Sequence, residues 1–199
     1  MKYKTIIFDM DGTLVDSKID YAAIHKALNL NTNESIVKYL NSLDQVEKEK
    51  AQDIVHHFET IGCQKSTLIP GVKNLLSYLQ KSNINMAVFT LNSALTAQNT
   101  LKMHGLEMSL VITRENAKPK PDPEGLLNIC NHFSTPLEDA LYVGDYIYDL
   151  QAGINANIKT VLYSPNDPEF DYSSAYFRFT HFDELQEYLT TMNNKKTLK

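Results

Sequence analysis

The amino-acid sequence predicts an α/β fold, a doubly wound and largely parallel sheet with a small all-helical segment inserted after the first strand. Outside residues 18–68, short apolar runs alternate regularly with amphipathic helical patterns, which is typical of consecutive βαβ units. Within residues 18–68 the apolar positions recur at helical spacing, and no run has a convincing strand pattern. Asp9, Thr90 and Asp145 each end a predicted strand, so a parallel sheet would bring them to the edge where such folds bind ligands.

The elements of the first half follow from apolar spacing and from local stop signals. The first strand is predicted at 5–8, where an apolar run too short for a helix ends at a carboxylate. A helix is predicted at 72–81, because its apolar residues recur on one face. The strand at 86–90 follows, and then a helix at 93–104 that Gly105 ends.

The second half continues the alternation. Further strands are predicted at 109–113, 141–143, 159–163 and 177–180. One helix begins with Asp122 as its N-cap and Pro123 at its first helical position. Another lies between the strands at 141–143 and 159–163. The last, at 182–189, follows Thr180 and Asp183, which are spaced like a capping box.

The inserted segment is predicted to form three helices, separated by the polar stretches 29–33 and 41–44. An alternative is an ordinary helical excursion within a single domain. The chain's last residues contain the only basic cluster and are predicted to form a disordered, solvated tail. We therefore divide the chain into a core domain (1–17 and 69–192), a helical insertion (18–68) and a tail (193–199).

Composition restricts the classes of partner. The 199 residues carry a formal net charge of -5, so no general attraction to nucleic acid or to an anionic membrane is expected. No segment approaches membrane-spanning length, and the N-terminus lacks the pattern of a signal peptide. Cys63 and Cys130 are too few for a disulfide framework and indicate a reducing compartment. We expect a cytoplasmic protein, either a monomer or a homodimer.

Two carboxylates directly follow the first strand. Asp9 and Asp11 would share one face of an extended chain, and Gly12 then permits a sharp turn. Like charges this close are unfavourable unless a cation lies beside them, and oxygen ligands of this kind suit Mg²⁺. The pattern therefore predicts a magnesium site, although an acidic turn after a core strand would contain the same residues.

The longer pattern, Asp9-x-Asp11-Gly12-Thr13-Leu14-x-Asp16-Ser17, resembles the first motif of the haloacid dehalogenase-like hydrolases, and more narrowly of their phosphoglycolate phosphatase-like branch. The resemblance implies a Rossmann-like core and makes residues 18–68 a helical cap that closes over the active site. It implies that Asp9 is the nucleophile, while Asp11 is the general acid and base and offers its backbone carbonyl to Mg²⁺. Because haloacid dehalogenases proper lack a second catalytic aspartate at this spacing, Asp11 argues against dehalogenation.

Two further motifs of the family have counterparts in the chain. Thr90 resembles the residue whose hydroxyl hydrogen-bonds the transferring phosphoryl group, with Asn92 as a supporting or phosphate-contacting residue. On its own, a threonine at a strand end is an ordinary cap. Lys118 and Lys120 both satisfy the pattern Lys-Pro-x-Pro, and we choose Lys120 because the helix begins directly after its pattern. Its ammonium group would neutralise the phosphate and the Asp9 carboxylate.

The segment from Gly144 to Asp149 resembles the fourth motif, Gly-Asp-x-x-x-Asp. It implies that Asp145 ligates Mg²⁺ and that Asp149 binds a metal-bound water or steadies Lys120. The bulky Tyr146, where many relatives have serine, would narrow the pocket or point away from it. The full predicted metal set is therefore Asp9, Asp11, Asp145 and Asp149.

Taken together, the four motifs predict a Mg²⁺-dependent phosphatase that forms an aspartyl-phosphate on a small phosphorylated metabolite, similar to phosphoglycolate or a sugar phosphate. One alternative is a phosphomutase that uses the same residues. Another is a phosphate-sensing or partner-binding protein without useful turnover. Within the insertion, five side chains are candidates for substrate contact, although each would more simply be a surface residue: Lys18, His25, Lys26, His56 and His57.

Overall fold

The computed structural model describes residues 2–197, and its centre is a six-stranded parallel sheet. The strand order is β5-β4-β1-β6-β7-β8, so β1 lies between β4 and β6. The fold class predicted from the alternating pattern is confirmed. The strands are β1 (Thr5–Phe8), β4 (Asn85–Phe89), β5 (Leu110–Ile112), β6 (Ala140–Gly144), β7 (Lys159–Tyr163) and β8 (Arg178–Phe179).

Helices cover both faces of this sheet, and each face has its own apolar cluster. Ile6 and Phe8 of β1 belong to the cluster on one face, and Ile7 belongs to the cluster on the other. Because successive side chains of a strand point to opposite faces, a strand buried on both sides must be apolar throughout, as β1 is. The helices of the core are α4 (Val72–Lys81), α5 (Ala94–His104), α6 (Glu124–His132), α7 (Ile147–Ala156) and α8 (Phe182–Thr197).

The inserted segment forms the three predicted helices, α1 (Tyr21–Ala27), α2 (Ile36–Ser42) and α3 (Gln45–Lys65). The N-cap side chain of each accepts a hydrogen bond from a backbone amide in the first turn. The helices also have an apolar cluster of their own, built around Ile24, Leu28, Leu40, Ala51 and Val55. We call α1 to α3 the helical insertion; its standing as a separate domain stays a prediction.

A short antiparallel ladder that the sequence did not predict lies at the base of the helical insertion. It pairs β2 (Val15–Asp16) with β3 (Thr67–Leu68), so that the chain leaves and re-enters the core side by side. Two-residue strands are too short to produce a recognisable alternation in the sequence, which explains the omission.

Two predicted helix caps differ from the structure. The N-cap of α6 is Pro123, although the carboxylate of the residue before it, Asp122, still accepts from the amide of Glu124 at 3.0 Å. Before α8, the amide of Thr180 donates to Glu184 at 3.2 Å rather than to Asp183, because the longer side chain reaches back across the turn.

The chain's C-terminal end continues α8 beyond the predicted helix. The described part of α8 ends at Thr197, and residues 198–199 lie outside the described part, so the predicted disordered tail at 193–199 stays a prediction. Within residues 2–197, no helix is both long and apolar enough to cross a membrane.

The packing of α4 gives a test of the fold. Leu75 is completely buried between α4 and the sheet, whereas Leu95 on α5 is 56% exposed. We expect Leu75→Ala to lower the free energy of unfolding by about 2–5 kcal/mol, because it leaves a cavity. The control, Leu95→Ala, should change it by less than about 0.5 kcal/mol. Urea unfolding at unchanged m value measures both, and equal losses would contradict this packing.

Candidate active site

Three polar residues meet at one edge of the sheet, as the sequence predicted. Asp9, Thr90 and Asp145 directly follow β1, β4 and β6, which are neighbours in the sheet with β1 in the middle. The amide of Asp9 donates to the carbonyl of Val143 at 2.8 Å, which extends the β1–β6 pairing by one residue. The amide of Thr90 likewise donates to the carbonyl of Ile112 at 3.0 Å. Backbone hydrogen bonds therefore fix the point from which Asp9 and Thr90 enter the site.

Lys120 joins two of the carboxylates. Its Nζ donates to Asp9 Oδ1 and, at 2.8 Å, to Asp149 Oδ1, and its side chain is only 4% exposed. Lys118, the alternative in the sequence, is at the surface with 70% of its side chain exposed. The structure thus brings Lys120, and not Lys118, to Asp9.

Hydrogen bonds occupy both carboxylate oxygens of Asp149. Oδ1 accepts from Lys120 and, at 2.6 Å, from the hydroxyl of Tyr142. Oδ2 accepts from the amides of Asp145 and Tyr146 at 3.2 and 3.0 Å. A carboxylate whose lone pairs are used in this way is suited to orienting Lys120, which is one of the two roles considered for Asp149. The sequence pattern places Tyr142 in a buried strand but gives no sign of this hydrogen bond.

The chemistry of the carboxylates fits a small divalent cation. Oxygens of Asp9, Asp145 and Asp149 lie within 4.8 Å of one another. Gly12 borders the same space, because a Cβ added there would lie 2.2 Å from Asp145 Oδ2. The hydroxyl of Thr13 donates to the other oxygen, Asp145 Oδ1, at 2.9 Å. Since Asp149 is occupied by its donors, Asp9 and Asp145 are the carboxylates left to bind such an ion.

Burial and mutual repulsion shape the protonation of these groups. Burial raises the pKa of Asp9, while the Lys120 ammonium opposes that rise. Burial, followed by the nearby Asp149 charge, raises the pKa of Asp145 to about 7. Burial acts to lower the pKa of Lys120, but the Asp149 and Asp9 carboxylates outweigh it and raise that pKa. Lys120 is therefore positively charged, and the acidic cluster favours a further cation.

Asp11 and Thr90 are linked through Asn92. The Asn92 side-chain amide donates to Asp11 Oδ2 at 2.6 Å, and its backbone amide donates to Thr90 Oγ1 at 3.1 Å. Burial raises the pKa of Asp11 to about 6, the nearby Glu59 charge adds to the rise, and hydrogen bonds from Ser17 and Asn92 oppose it. Asn92 is therefore hydrogen-bonded both to Asp11, the predicted general acid, and to Thr90, the residue predicted to contact the phosphoryl group.

A buried ion pair beside Asp11 was missed in the sequence. Arg114, in the loop after β5, donates to Glu59 of α3 and, at 3.2 Å, to the carbonyl of Leu91. The Glu59 side chain is 6% exposed. The spacing of Glu59 could have indicated this pair, because Glu59 follows the buried residues Ala51 and Val55 at intervals of four on the same face of α3. A charged residue in such a row needs a partner.

A cleft of about 160 Å³ separates the helical insertion from the core and opens onto Asp11 and Asn92. None of the five candidate contact residues of the insertion is among the described residues that line it. His25, for example, bonds the carbonyl oxygens of Tyr21 and Glu34 instead. Tyr146 is 52% exposed and packs against Tyr148 and Phe170.

Comparison with known proteins agrees with this geometry. Residues 18–163 match the family model described as haloacid dehalogenase-like hydrolase. The chain therefore belongs to the haloacid dehalogenase-like hydrolase family, as its motifs predicted. The matched span begins after the Asp9 motif.

Individual relatives cover most of the chain. The chain is 25% identical to pyrophosphatase PpaX of Oceanobacillus iheyensis, over 98% of this chain and 99% of the relative, so the similarity includes the Asp9 motif. It is 28% identical to N-acetylmuramic acid 6-phosphate phosphatase of Pseudomonas aeruginosa, over 80% of this chain and 81% of the relative. A crystal structure described as a predicted phosphoglycolate phosphatase of Haemophilus somnus has the same fold, with a TM-score of 0.75 and 22% identity over 95% and 99% of the two chains.

The Lys120 contacts predict a difference between two matched variants. Lys120→Met removes the only described cation in contact with Asp9 and leaves buried carboxylates unpaired, so we expect the free energy of unfolding to fall by about 3 kcal/mol. Lys118→Met, the control, changes an exposed side chain and should have little effect. Urea unfolding in the presence of a chelator measures the difference. Equal stabilities of the two variants would contradict the assigned contacts.

Proposed function

We propose that the protein is a Mg²⁺-dependent phosphatase that hydrolyses a small phosphorylated metabolite through an aspartyl-phosphate on Asp9. The observation that carries this proposal is the buried contact of Lys120 with Asp9 and Asp149 at the meeting point of three strand ends. A phosphate dianion can approach a carboxylate only where positive charge offsets the repulsion. Lys120 supplies such a charge next to Asp9.

In the first step, Asp9 Oδ2 attacks phosphorus and the bond from phosphorus to the leaving oxygen breaks. Lys120 binds the phosphoryl group, and the Thr90 hydroxyl donates to one of its oxygens. Asp11 gives its proton to the leaving alcohol. None of the hydrogen bonds among the described residues uses Asp9 Oδ2, so this oxygen is available as the nucleophile.

In the second step, Asp11 takes a proton from water, the resulting hydroxide attacks the phosphorus of the aspartyl-phosphate, and Asp9 is released with inorganic phosphate. Asp149 holds Lys120 in place throughout by its fixed hydrogen bonds. Asp9 and Asp145 would hold Mg²⁺, with the predicted backbone carbonyl of Asp11, and the bound ion would neutralise phosphoryl oxygens.

The helical insertion acts in this proposal as a cap. Its helix α3 brings Glu59 to within hydrogen-bonding contact of the core residue Arg114, next to Asp11. The insertion and the core thereby enclose the cleft in which the leaving group would lie. Enclosure would exclude bulk water from the first step and would select the leaving alcohol.

The role of Asp9 is tested by a matched pair of variants in the same loop. We expect Mg²⁺-dependent phosphate release from a panel of phosphomonoesters, and we expect Asp9→Asn to lower it by at least about 10³-fold because the nucleophile is lost. Asp16→Asn changes a half-exposed carboxylate that contacts Lys18 and should retain most of the activity. Equal activity of the two variants, or release without dependence on Mg²⁺, would contradict the proposal.

The same assays distinguish the two alternative functions. A requirement for a bisphosphate would indicate a phosphomutase, and phosphate binding without turnover would indicate a sensor.

The role of Asp11 is tested by the acidity of the leaving group. Asp11→Asn should lower the turnover of ethyl phosphate by about 10²–10⁴-fold, because ethoxide cannot leave without a proton. The same variant should reduce formation of the phosphorylated enzyme from 4-nitrophenyl phosphate much less, because that leaving group is stable as an anion. Single-turnover measurements of the first step with both esters check this expectation. A loss of the same size for both esters would rule out Asp11 as the general acid.

A further inference from the structure

The cleft between the helical insertion and the core has apolar walls contributed by all three inserted helices. Tyr21 and Ile24 come from α1, Val37 and Leu40 from α2, and Val55 from α3. Its inner end is formed by Asp11 and Asn92 of the proposed active site, together with Glu59 and Arg114. In the proposed reaction Asp11 protonates the ester oxygen of the leaving alcohol. The carbon skeleton of that alcohol would therefore extend along an apolar surface.

The charges at the inner end are already paired. Arg114 is used by Glu59 and by the carbonyl of Leu91, and Asp11 is a further acidic group beside them. None of the described residues lining this end offers an unpaired cation to the leaving group. An alcohol with a carboxylate or phosphate close to the ester oxygen would find no free cation there to offset the cost of removing its charge from water. This disfavours phosphoglycolate and pyrophosphate as substrates.

Polar residues return at the outer end of the cleft. Lys48, Gln52, Val55 and Glu59 lie on one face of α3, and the rise of an α-helix separates the first from the last by roughly 16 Å. Lys48 Nζ lies 3.4 Å from the Asn41 side-chain oxygen, and no carboxylate among the described residues forms a salt bridge with it. The outer end therefore suits a hydrogen-bond acceptor or an anion.

We propose, on the basis of the function proposed above, that the substrate is a monoester whose alcohol has an uncharged apolar body about the size of one ring and an acceptor group at its far end. The cleft's volume of about 160 Å³ supports this size. An apolar cavity of about 150 Å³ in another protein accommodates one benzene molecule. The walls would bind the body, and Lys48 with Asn41 would bind the far end.

The first test compares primary-alcohol esters, whose chemical reactivity is similar. Benzyl phosphate should have a kcat/KM at least about tenfold higher than ethyl phosphate, because buried apolar surface favours the larger group. Phosphoglycolate should be poorer than ethyl phosphate. If phosphoglycolate or pyrophosphate is preferred over benzyl phosphate while Asp9→Asn still abolishes turnover, the inference about the leaving group is overturned and the proposed function stands. If no ester is hydrolysed with Mg²⁺, both fail.

A pair of valine variants tests the apolar wall. Val37 lines the cleft but does not belong to the apolar cluster of the helical insertion, whereas Val46 on α3 is 62% exposed and lies outside the cleft. Val37→Asn should lower the ratio of kcat/KM for benzyl to ethyl phosphate by about fivefold. Val46→Asn should leave this ratio unchanged. An unchanged ratio in a folded Val37→Asn protein would overturn the assignment of the wall.

A pair of lysine variants tests the outer end. With the wild type, 4-carboxybenzyl phosphate should have a higher kcat/KM than benzyl phosphate. Lys48→Gln should lower the ratio of the two constants by about threefold, as expected for a partly exposed ion pair, and the loss should shrink in high salt. Lys50→Gln, which changes an exposed lysine outside the cleft, should not alter the ratio. Equal ratios in Lys48→Gln and Lys50→Gln would overturn the assignment of the far end.

Discussion

One buried ammonium group holds the carboxylates of the site in place. Lys120 contacts Asp9 and Asp149 where side chains are almost fully removed from water. Several carboxylates packed together in such surroundings would be strongly unfavourable without positive charge. The remaining contacts of Asp149, with Tyr142 and two backbone amides, fix its orientation and so fix Lys120. Lys120, which we propose binds the phosphoryl group, is therefore also the residue whose charge offsets that of the buried acidic cluster.

The parallel sheet explains why these groups can meet. With β1 between β4 and β6, the residues that follow the three strands emerge side by side, although they are far apart in the chain. Apolar clusters on both faces keep the strands rigid, and backbone hydrogen bonds hold Asp9 and Thr90 at the strand ends. Polar groups that are fixed in advance need little rearrangement during a reaction, which is the main source of electrostatic stabilisation in enzymes.

The helical insertion completes the site from the other side. Its own apolar cluster shapes the three helices, and the Glu59–Arg114 pair joins α3 to the core next to Asp11. This pair has two consequences that follow from one contact. It brings the apolar faces of the insertion over the active site, and it neutralises the arginine that could otherwise have bound a second anionic group of a substrate. In the function proposed above, the enclosure of the site and the selection of the leaving group would therefore depend on the same ion pair.

The sequence by itself determined the fold class, the three inserted helices and most element boundaries, because apolar periodicity and helix caps are local properties of the chain. The family motifs likewise indicated Asp9, Asp11, Thr90, Lys120, Asp145 and Asp149. The local pattern favoured Lys120 over Lys118, because a helix follows its motif directly, but it could not show that Lys120 is buried against Asp9. Nor did it reveal the Glu59–Arg114 pair or the Tyr142 hydrogen bond. Lys120 and Asp9 are 111 residues apart, and Arg114 and Glu59 are 55 apart. Only the tertiary structure decided these contacts and the lining of the cleft, because they depend on how separate elements pack.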